Sequence, residues 1–199
     1  MNVELPFSAA AERNAEPIAT KLAELSTEKS LDVLEIGSGT GQHVAFFADR
    51  FSGWTFQPSD RNSDYFDAIR HRAAKRPNIR GPIVVDLLHY ESWPNTETFG
   101  LILAINVFQV APKEVIGGLY QLARQVLEPG GKIITYSPLT HEGRYTSEGD
   151  AAFDQRLRER DPQLGIRSLE SLKQAAMESH FELRQEIPMP ANNWLTLAS

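Results

Sequence analysis

A glycine-rich loop and three later polar residues in this chain have the types and spacing for chemistry on a nucleotide-like ligand. In Val33-Leu34-Glu35-Ile36-Gly37-Ser38-Gly39-Thr40-Gly41-Gln42-His43, an apolar run ends on an acid, passes through alternating glycines and opens into a helical pattern at Val44, Phe46 and Phe47. Glycine lets a backbone turn sharply and approach a bound molecule without a Cβ clash. Asp60 follows a second apolar run in Gln57-Pro58-Ser59-Asp60, 25 residues beyond Glu35. An acid about twenty residues past a glycine loop can accept both hydrogen bonds of a ribose diol; an aspartate there also suits a turn or a helix N-cap. Asp86 ends a third run in Val84-Val85-Asp86-Leu87, and Asn106 a fourth in Ala104-Ile105-Asn106-Val107. The Asn106 amide both donates and accepts, and asparagine is equally at home in a turn.

The glycine spacing narrows the ligand. A dinucleotide fingerprint reads G-x-G-x-x-G. Here the spacing is G-x-G-x-G, and Gln42 stands where the third glycine of that fingerprint belongs. Glu35-x-Gly37-x-Gly39-x-Gly41 resembles motif I of the class I S-adenosylmethionine-dependent methyltransferases. That cofactor has no phosphate and carries a sulfonium, an amino group and a carboxylate. The resemblance implies that Gly37, Ser38, Gly39, Thr40 and Gly41 cradle it, that Glu35 serves its cationic amino-acid end and that Asp60 holds its ribose. It further implies that Asp86 receives the adenine amino group while the Leu87 N–H meets the ring, and that Asn106 faces the reacting methyl. Val107 and Phe108 stand where the amino-methylating nucleic-acid enzymes carry prolines.

The resemblance extends along nearly the whole chain. Phe7-Ser8-Ala9-Ala10-Ala11-Glu12-Arg13-Asn14-x-x-Pro17, Gly39 to His43, Gln57 to Asp60, Ala152-Phe153-Asp154 through Asp161-Pro162-x-x-Gly165-Ile166-Arg167, and Met189-Pro190-Ala191-Asn192-Asn193 together look like one uncharacterised methyltransferase-like family, a domain of unknown function that includes the methyltransferase-like protein twenty-six type. Members often carry His where Gln109 stands, so no histidine base is expected there. Arg13 and Asn14 are expected to close over the cofactor, with Arg13 against its carboxylate or a substrate acid or on the helix surface.

The activated methyl lets such an enzyme work largely by holding the nucleophile in line. A base is needed only where the nucleophile must lose a proton. Candidates are Asn106, Tyr136 and His43, with His141 behind them; for His43 and Tyr136, packing roles compete. His43 starts a helix, which favours its neutral form. Asn192 and Asn193 suit the final hairpin turn. Trp54, Trp93 and Trp194 are expected in core or lid positions. The histidines have no metal-ligand spacing, so no metal is expected.

The elements that must position these residues alternate between strand and helix, which argues for a mainly parallel sheet covered on both faces. The pattern predicts helices over 8–25, 41–50, 64–74, 112–127, 149–160 and 168–179. Strands are expected over 31–36, 54–57 (stopped by Pro58), 83–85, 101–107 and 132–137 (broken by Ser137-Pro138), then a C-terminal pair over 181–187 and 194–197. The short link Pro188 to Asn193 favours an antiparallel hairpin. The expected fold is α/β: a Rossmann-like class I methyltransferase fold with a mainly parallel seven-stranded sheet, a C-terminal antiparallel hairpin and helices on both faces, as one domain over 1–199.

The formal net charge of −6 argues against a nucleic-acid partner, which selects basic surfaces. No apolar run approaches the roughly 18 residues of a membrane span, and no signal peptide is evident, so no membrane partner and a cytoplasmic location are expected. Cysteine is absent, which excludes disulfides and cysteine-ligated zinc. Size and charge favour a small-molecule acceptor first and a protein side chain second. Two other classes stay open: a methyltransferase-like cofactor-binding or interaction protein without turnover, and a nicotinamide-dependent oxidoreductase, which the glycine spacing and Glu35 disfavour.

Overall fold

The computed structural model describes residues 5–199. Parallel strands β1 (Leu31–Ile36), β2 (Trp54–Asp60), β3 (Ile83–Val84), β4 (Phe99–Ile105) and β5 (Leu127–Thr140) lie in the order β3-β2-β1-β4-β5. The two-residue β6 (Arg167–Ser168) pairs with the end of β5. β8 (Asn193–Ala198) runs antiparallel to β5, and β7 (Leu183–Met189) antiparallel to β8, closing a seven-strand path. Helices α1 (Ala9–Leu25), α2 (Gln42–Arg50), α3 (Phe66–Ala73), α4 (Val115–Val126), α5 (Glu148–Arg160) and α6 (Leu169–Glu178) connect and cover the sheet. The expected fold class is the one observed.

Side-chain alternation explains why helices cover both faces. Leu34, Ile102, Ala104 and Ile133 pack with α4 and α6 through Ile116, Leu119, Leu122 and Leu172. Their neighbours Val33, Leu101, Leu103 and Ile134 pack on the opposite face with Ile18 and Leu22 of α1 and Val44 and Phe47 of α2. A strand buried on both sides reads as a continuous apolar run, as Leu101 to Ile105 does.

Two prolines do not end their strands. β2 continues through Pro58 to Asp60, with Pro58 opposite Glu35 and Ser59 opposite Ile36 on β1. Phe56 and Asp60 bond away from β1, to Asn78, Arg80 and Val85. Pro58 shares their parity, so its missing N–H points away from the β1 ladder. β5 continues through Pro138, which lies opposite Asn193. β5 also starts at Leu127, and Glu128-Pro129-Gly130-Gly131 is a bulge within it: Leu127 pairs with Phe99 but Lys132 with Leu101. Gly130 supplies the positive φ of 82°. β4 spans Phe99–Ile105 rather than 101–107, and α4 begins at Val115 rather than Pro112.

The chain leaves β1 toward β2 and β3 on one side, then returns through β4 to β5 on the other. The carboxyl ends of β1 and β4 therefore flank a topological switch point, where open α/β sheets form their ligand crevice.

Candidate functional site

A cavity of about 740 Å³ opens at that switch point, within the range of small-molecule sites. It is built from residues at or just past the ends of the parallel strands: Gly37 to Thr40 after β1, Asp60 to Asn62 at the end of β2, Val85 to Leu88 after β3, Asn106, Val107 and Gln109 to Ala111 after β4, and Pro138 within β5. The start of α1, Asp150 and Phe153 of α5, and Ala191 and Asn193 of the final hairpin complete it. Arg13, Ser38, Gly39, Thr40, His43, Asp60, Asp86, Leu87 and Asn106 all line this space. Glu35, Gly41 and Tyr136 do not.

The glycine loop is locked to β2. The Ser38 N–H donates to the Ser59 carbonyl at 2.8 Å, and the Gly39 N–H donates to Asp60 Oδ2 at 2.9 Å. The glycines differ in what they permit. Gly39, at φ 50°, has nothing within 4 Å of where a Cβ would stand, so that position opens into the cavity. Gly41, at φ 76°, packs against α3: a Cβ there would lie 3.2 Å from Ile69 Cα. Its place is inside the fold.

Asp60 is buried, and its other oxygen accepts the Asn62 N–H at 3.0 Å. Each carboxylate oxygen therefore keeps acceptor capacity toward the cavity. Asp86 is more tightly engaged. Its oxygens accept from the Leu88 N–H at 2.9 Å and meet His89 Nδ1 at 3.0 Å. Burial works against its charge, but the Leu88 N–H, His89 and Arg61 outweigh it and hold the carboxyl below the usual range. Ser92 Oγ accepts its N–H at 2.8 Å, and Trp93 Nε1 donates to its carbonyl at 2.8 Å. The neighbouring Leu87 N–H has no acceptor among the described residues.

Glu35 lies behind the loop. It is 2% exposed, and Oε2 has no partner. Burial pushes its carboxyl up to about 7; the Asp60 charge adds to the rise, and a Ser38 hydrogen bond partly offsets it. Direct contact with a ligand's cationic end, expected from the sequence, is not what its position provides.

Asn106 sits at φ 56° just past β4, with its N–H on the Tyr136 carbonyl at 2.7 Å. Its Oδ1 accepts from Gln109 Nε2 at 3.1 Å, while Gln109 Oε1 is buried without a partner. His43 stacks on Phe47 at 5.7 Å. Burial lowers its pKa to about 4, against a hydrogen bond to the Ala11 backbone, and Nε2 is buried without a partner. Tyr136 is fully buried on the α1 and α2 face, 3.5 Å from the Pro190 carbonyl. Burial pushes its phenol up to about 12. His141 lies outside the cavity against Trp194, at 4.1 Å between ring centroids. Trp54 belongs to the core on the α1 and α2 face, while Trp93 and Trp194 are partly buried against the core on the α4 and α6 face. Ala191 and Asn192 hold the final turn at φ 56° and 58°, and Asn192 Nδ2 donates to Ser147 Oγ at 2.9 Å.

Sequence reasoning missed the side chains that fix the loop after β4. Arg167 is buried, and its guanidinium donates to the carbonyls of Phe108 at 3.0 Å, Ala111 and Gln163. The Gly165 N–H donates to the Gln109 carbonyl at 3.0 Å. Asp154 anchors that segment by accepting from Tyr145 Oη at 2.7 Å, Arg158 Nε at 2.8 Å and the Ile166 N–H. Burial opposes its charge, and these three donors outweigh it, holding the carboxyl below the usual range. The available signal was the segment from Asp154 to Arg167, which the family resemblance singled out without giving its side chains a role.

Over residues 5–197 the chain matches the family described as "Protein of unknown function (DUF938)". Among solved structures, an O-methyltransferase family protein from Burkholderia thailandensis superposes with a TM-score of 0.78 at 16% identity, covering 96% of this chain and 57% of that one. The methyltransferase CalO1 of calicheamicin biosynthesis, in SAH-bound form, gives 0.70 at 13%, covering 91% and 53%. An O-methyltransferase family 2 protein from Planctomyces limnophilus DSM 3776, in complex with apigenin, gives 0.70 at 16%, covering 93% and 61%. The chain thus spans between 53% and 61% of these proteins' lengths, and the likeness is one of fold.

Proposed function

The chain belongs to the DUF938 family, and on that premise we propose that it is an S-adenosylmethionine-dependent methyltransferase, one domain over 1–199 of the methyltransferase-like protein twenty-six type, acting on a small molecule in the cytoplasm. One observation carries this: Gly37 to Thr40, Asp60, Asp86, Leu87 and Asn106, chosen for one cofactor, line one cavity at the switch point of the sheet. The fold it sits in is shared with an SAH-bound methyltransferase.

The residues present fit that cofactor. The open side of Gly39 leaves room for it along the loop. Asp60 retains acceptor capacity for a ribose diol, and the Leu87 N–H remains for an adenine ring. Asp60, Asp86 and Asp150 stand against Arg13 and Arg61 around the cavity, a poor environment for a pyrophosphate. Bound there, the cofactor supplies a methyl group already activated on a sulfonium. The chain's own part is orientation: Asn106 and Gln109 present amides that do not titrate, and His43 is neutral at pH 7. Proximity and orientation are worth up to ~7–11 kcal/mol in favourable cases. Among the described residues no helix is long and apolar enough to cross a membrane.

Calorimetric titration of S-adenosylmethionine and S-adenosylhomocysteine tests the proposal. We expect both to bind, and Asp60→Ala to weaken them about tenfold or more through loss of the ribose hydrogen bonds. Absence of binding to folded protein, or binding of NADH instead, refutes it. A cofactor-binding protein without turnover is the second reading, favoured by the burial of Tyr136 outside the cavity. Transfer of a labelled methyl to any component of a cell extract excludes it.

A further inference from the structure

Gln42 stands where a dinucleotide fingerprint has glycine, and nothing in the cofactor reading uses its side chain. In the structure that side chain ties two parts of the cavity together. Gln42 Oε1 accepts from the Ser8 N–H and, at 3.1 Å, from Thr40 Oγ1, while Gln42 Nε2 donates to the Ser8 carbonyl at 3.2 Å. Arg72 of α3 makes a parallel tie: Nε donates to the Thr40 carbonyl at 2.9 Å and Nη2 to the Pro6 carbonyl at 2.7 Å. Ser8 is the N-cap of α1, its hydroxyl accepting from the Ala11 N–H at 3.3 Å.

Ser8, Ala10, Ala11, Arg13 and Asn14 form the α1 wall of the cavity. The later turns of α1 are anchored in the core by Ile18, Ala19 and Leu22. The first turn, Ala9 to Glu12, contributes no buried residue. Its position is set by the bonds at Ser8 and Pro6 and by the His43 bond to the Ala11 backbone. The Ser8 and Pro6 bonds run through the Gln42 and Arg72 side chains to Thr40, between Gly39 and Gly41. A ligand that fixes Thr40 fixes both of its clasping groups, the hydroxyl and the carbonyl. Glycine at 42 would have left the Ser8 N–H and the Thr40 hydroxyl without this acceptor.

We propose that Gln42 is a positioning residue that couples the glycine loop to the α1 wall, so that cofactor held in the loop orders the acceptor side of the cavity. This rests on the cofactor reading above. Coupling between two parts of a site is reciprocal, so an acceptor held against α1 also tightens the cofactor.

Hydrogen exchange of the full chain tests it, with wild type, Gln42→Ala and Gln42→Glu, free and with S-adenosylhomocysteine. Without ligand, amides over residues 8–14 in Gln42→Ala are expected to exchange about tenfold faster, from the loss of two hydrogen bonds. Gln42→Glu keeps the acceptor for Ser8 and Thr40 and is expected to fall between. With ligand, wild type gains protection over both 37–41 and 8–14; Gln42→Ala gains it over 37–41 alone. Equal exchange over 8–14 in free wild type and Gln42→Ala overturns the coupling, as does ligand protection of 8–14 that survives in Gln42→Ala. Wild-type protection over 37–41 without 8–14 overturns the coupling and leaves the cofactor reading standing. No ligand protection anywhere overturns the cofactor reading, and the coupling with it.

Discussion

Replacing Glu35 by glutamine should stabilise this protein, and increasingly so as the pH rises. Glu35 is 2% exposed with Oε2 unpartnered. Burial first, and the Asp60 charge second, lift its pKa from 4.5 to about 7. The folded chain therefore holds a proton that the unfolded chain has released between these values. By linkage, stability falls as the pH rises through that window. At about 1.4 kcal/mol per pKa unit, the cost of keeping Glu35 folded above pH 7 is about 3 kcal/mol. Glutamine keeps the shape without the charge. Urea unfolding at pH 5, 6, 7 and 8, followed by tryptophan fluorescence, should show the stability advantage of Glu35→Gln growing by about 2 kcal/mol across the series. In Asp60→Asn, which lacks the neighbouring charge, the inflection should move to lower pH. Parallel wild-type and Glu35→Gln profiles would refute the reasoning, because they would mean that the carboxylate ionises as readily in the fold as outside it.

The two glycine neighbours of Thr40 should separate binding from stability. Gly39→Ala, with open space at its Cβ position, should cost about 1 kcal/mol in unfolding, from its positive φ, yet weaken S-adenosylmethionine binding more than tenfold in calorimetry. Gly41→Ala, facing the Ile69 backbone, should cost about 2 kcal/mol or more. The imidazole of His43 should titrate near 4 by NMR; this depressed value makes stability fall as pH drops from about 6.5 through 4, opposite in sense to Glu35. Arg167→Met should lose about 3 kcal/mol or more in urea unfolding, because it leaves the Phe108, Ala111 and Gln163 carbonyls without their donor.

Much of the frame was legible in the sequence because it is written in short-range patterns. The near-continuous apolar run of β4 required a strand covered on both faces, and the alternation of strand and helix segments made the sheet mainly parallel. The glycine run after β1 and the acids after β2 and β3 lie at carboxyl ends of parallel strands, which that order brings to one rim. What the prolines at 58 and 138 do could not be read locally: a proline ends a strand only if its missing N–H faces a partner, and pairing decides that. The site's finer assignments needed the tertiary structure for the same reason. Sequence placed Glu35 and Tyr136 at strand ends near the crevice, but packing buried Glu35 behind the loop and Tyr136 under α1. The clasp between Ser8 and Gln42 joins residues 34 apart, and Arg167 reaches Phe108 across 59. A side chain's period fixes which face of its element it takes. Only the meeting of distant elements fixes which polar groups that face encounters, and so which of them are free to bind.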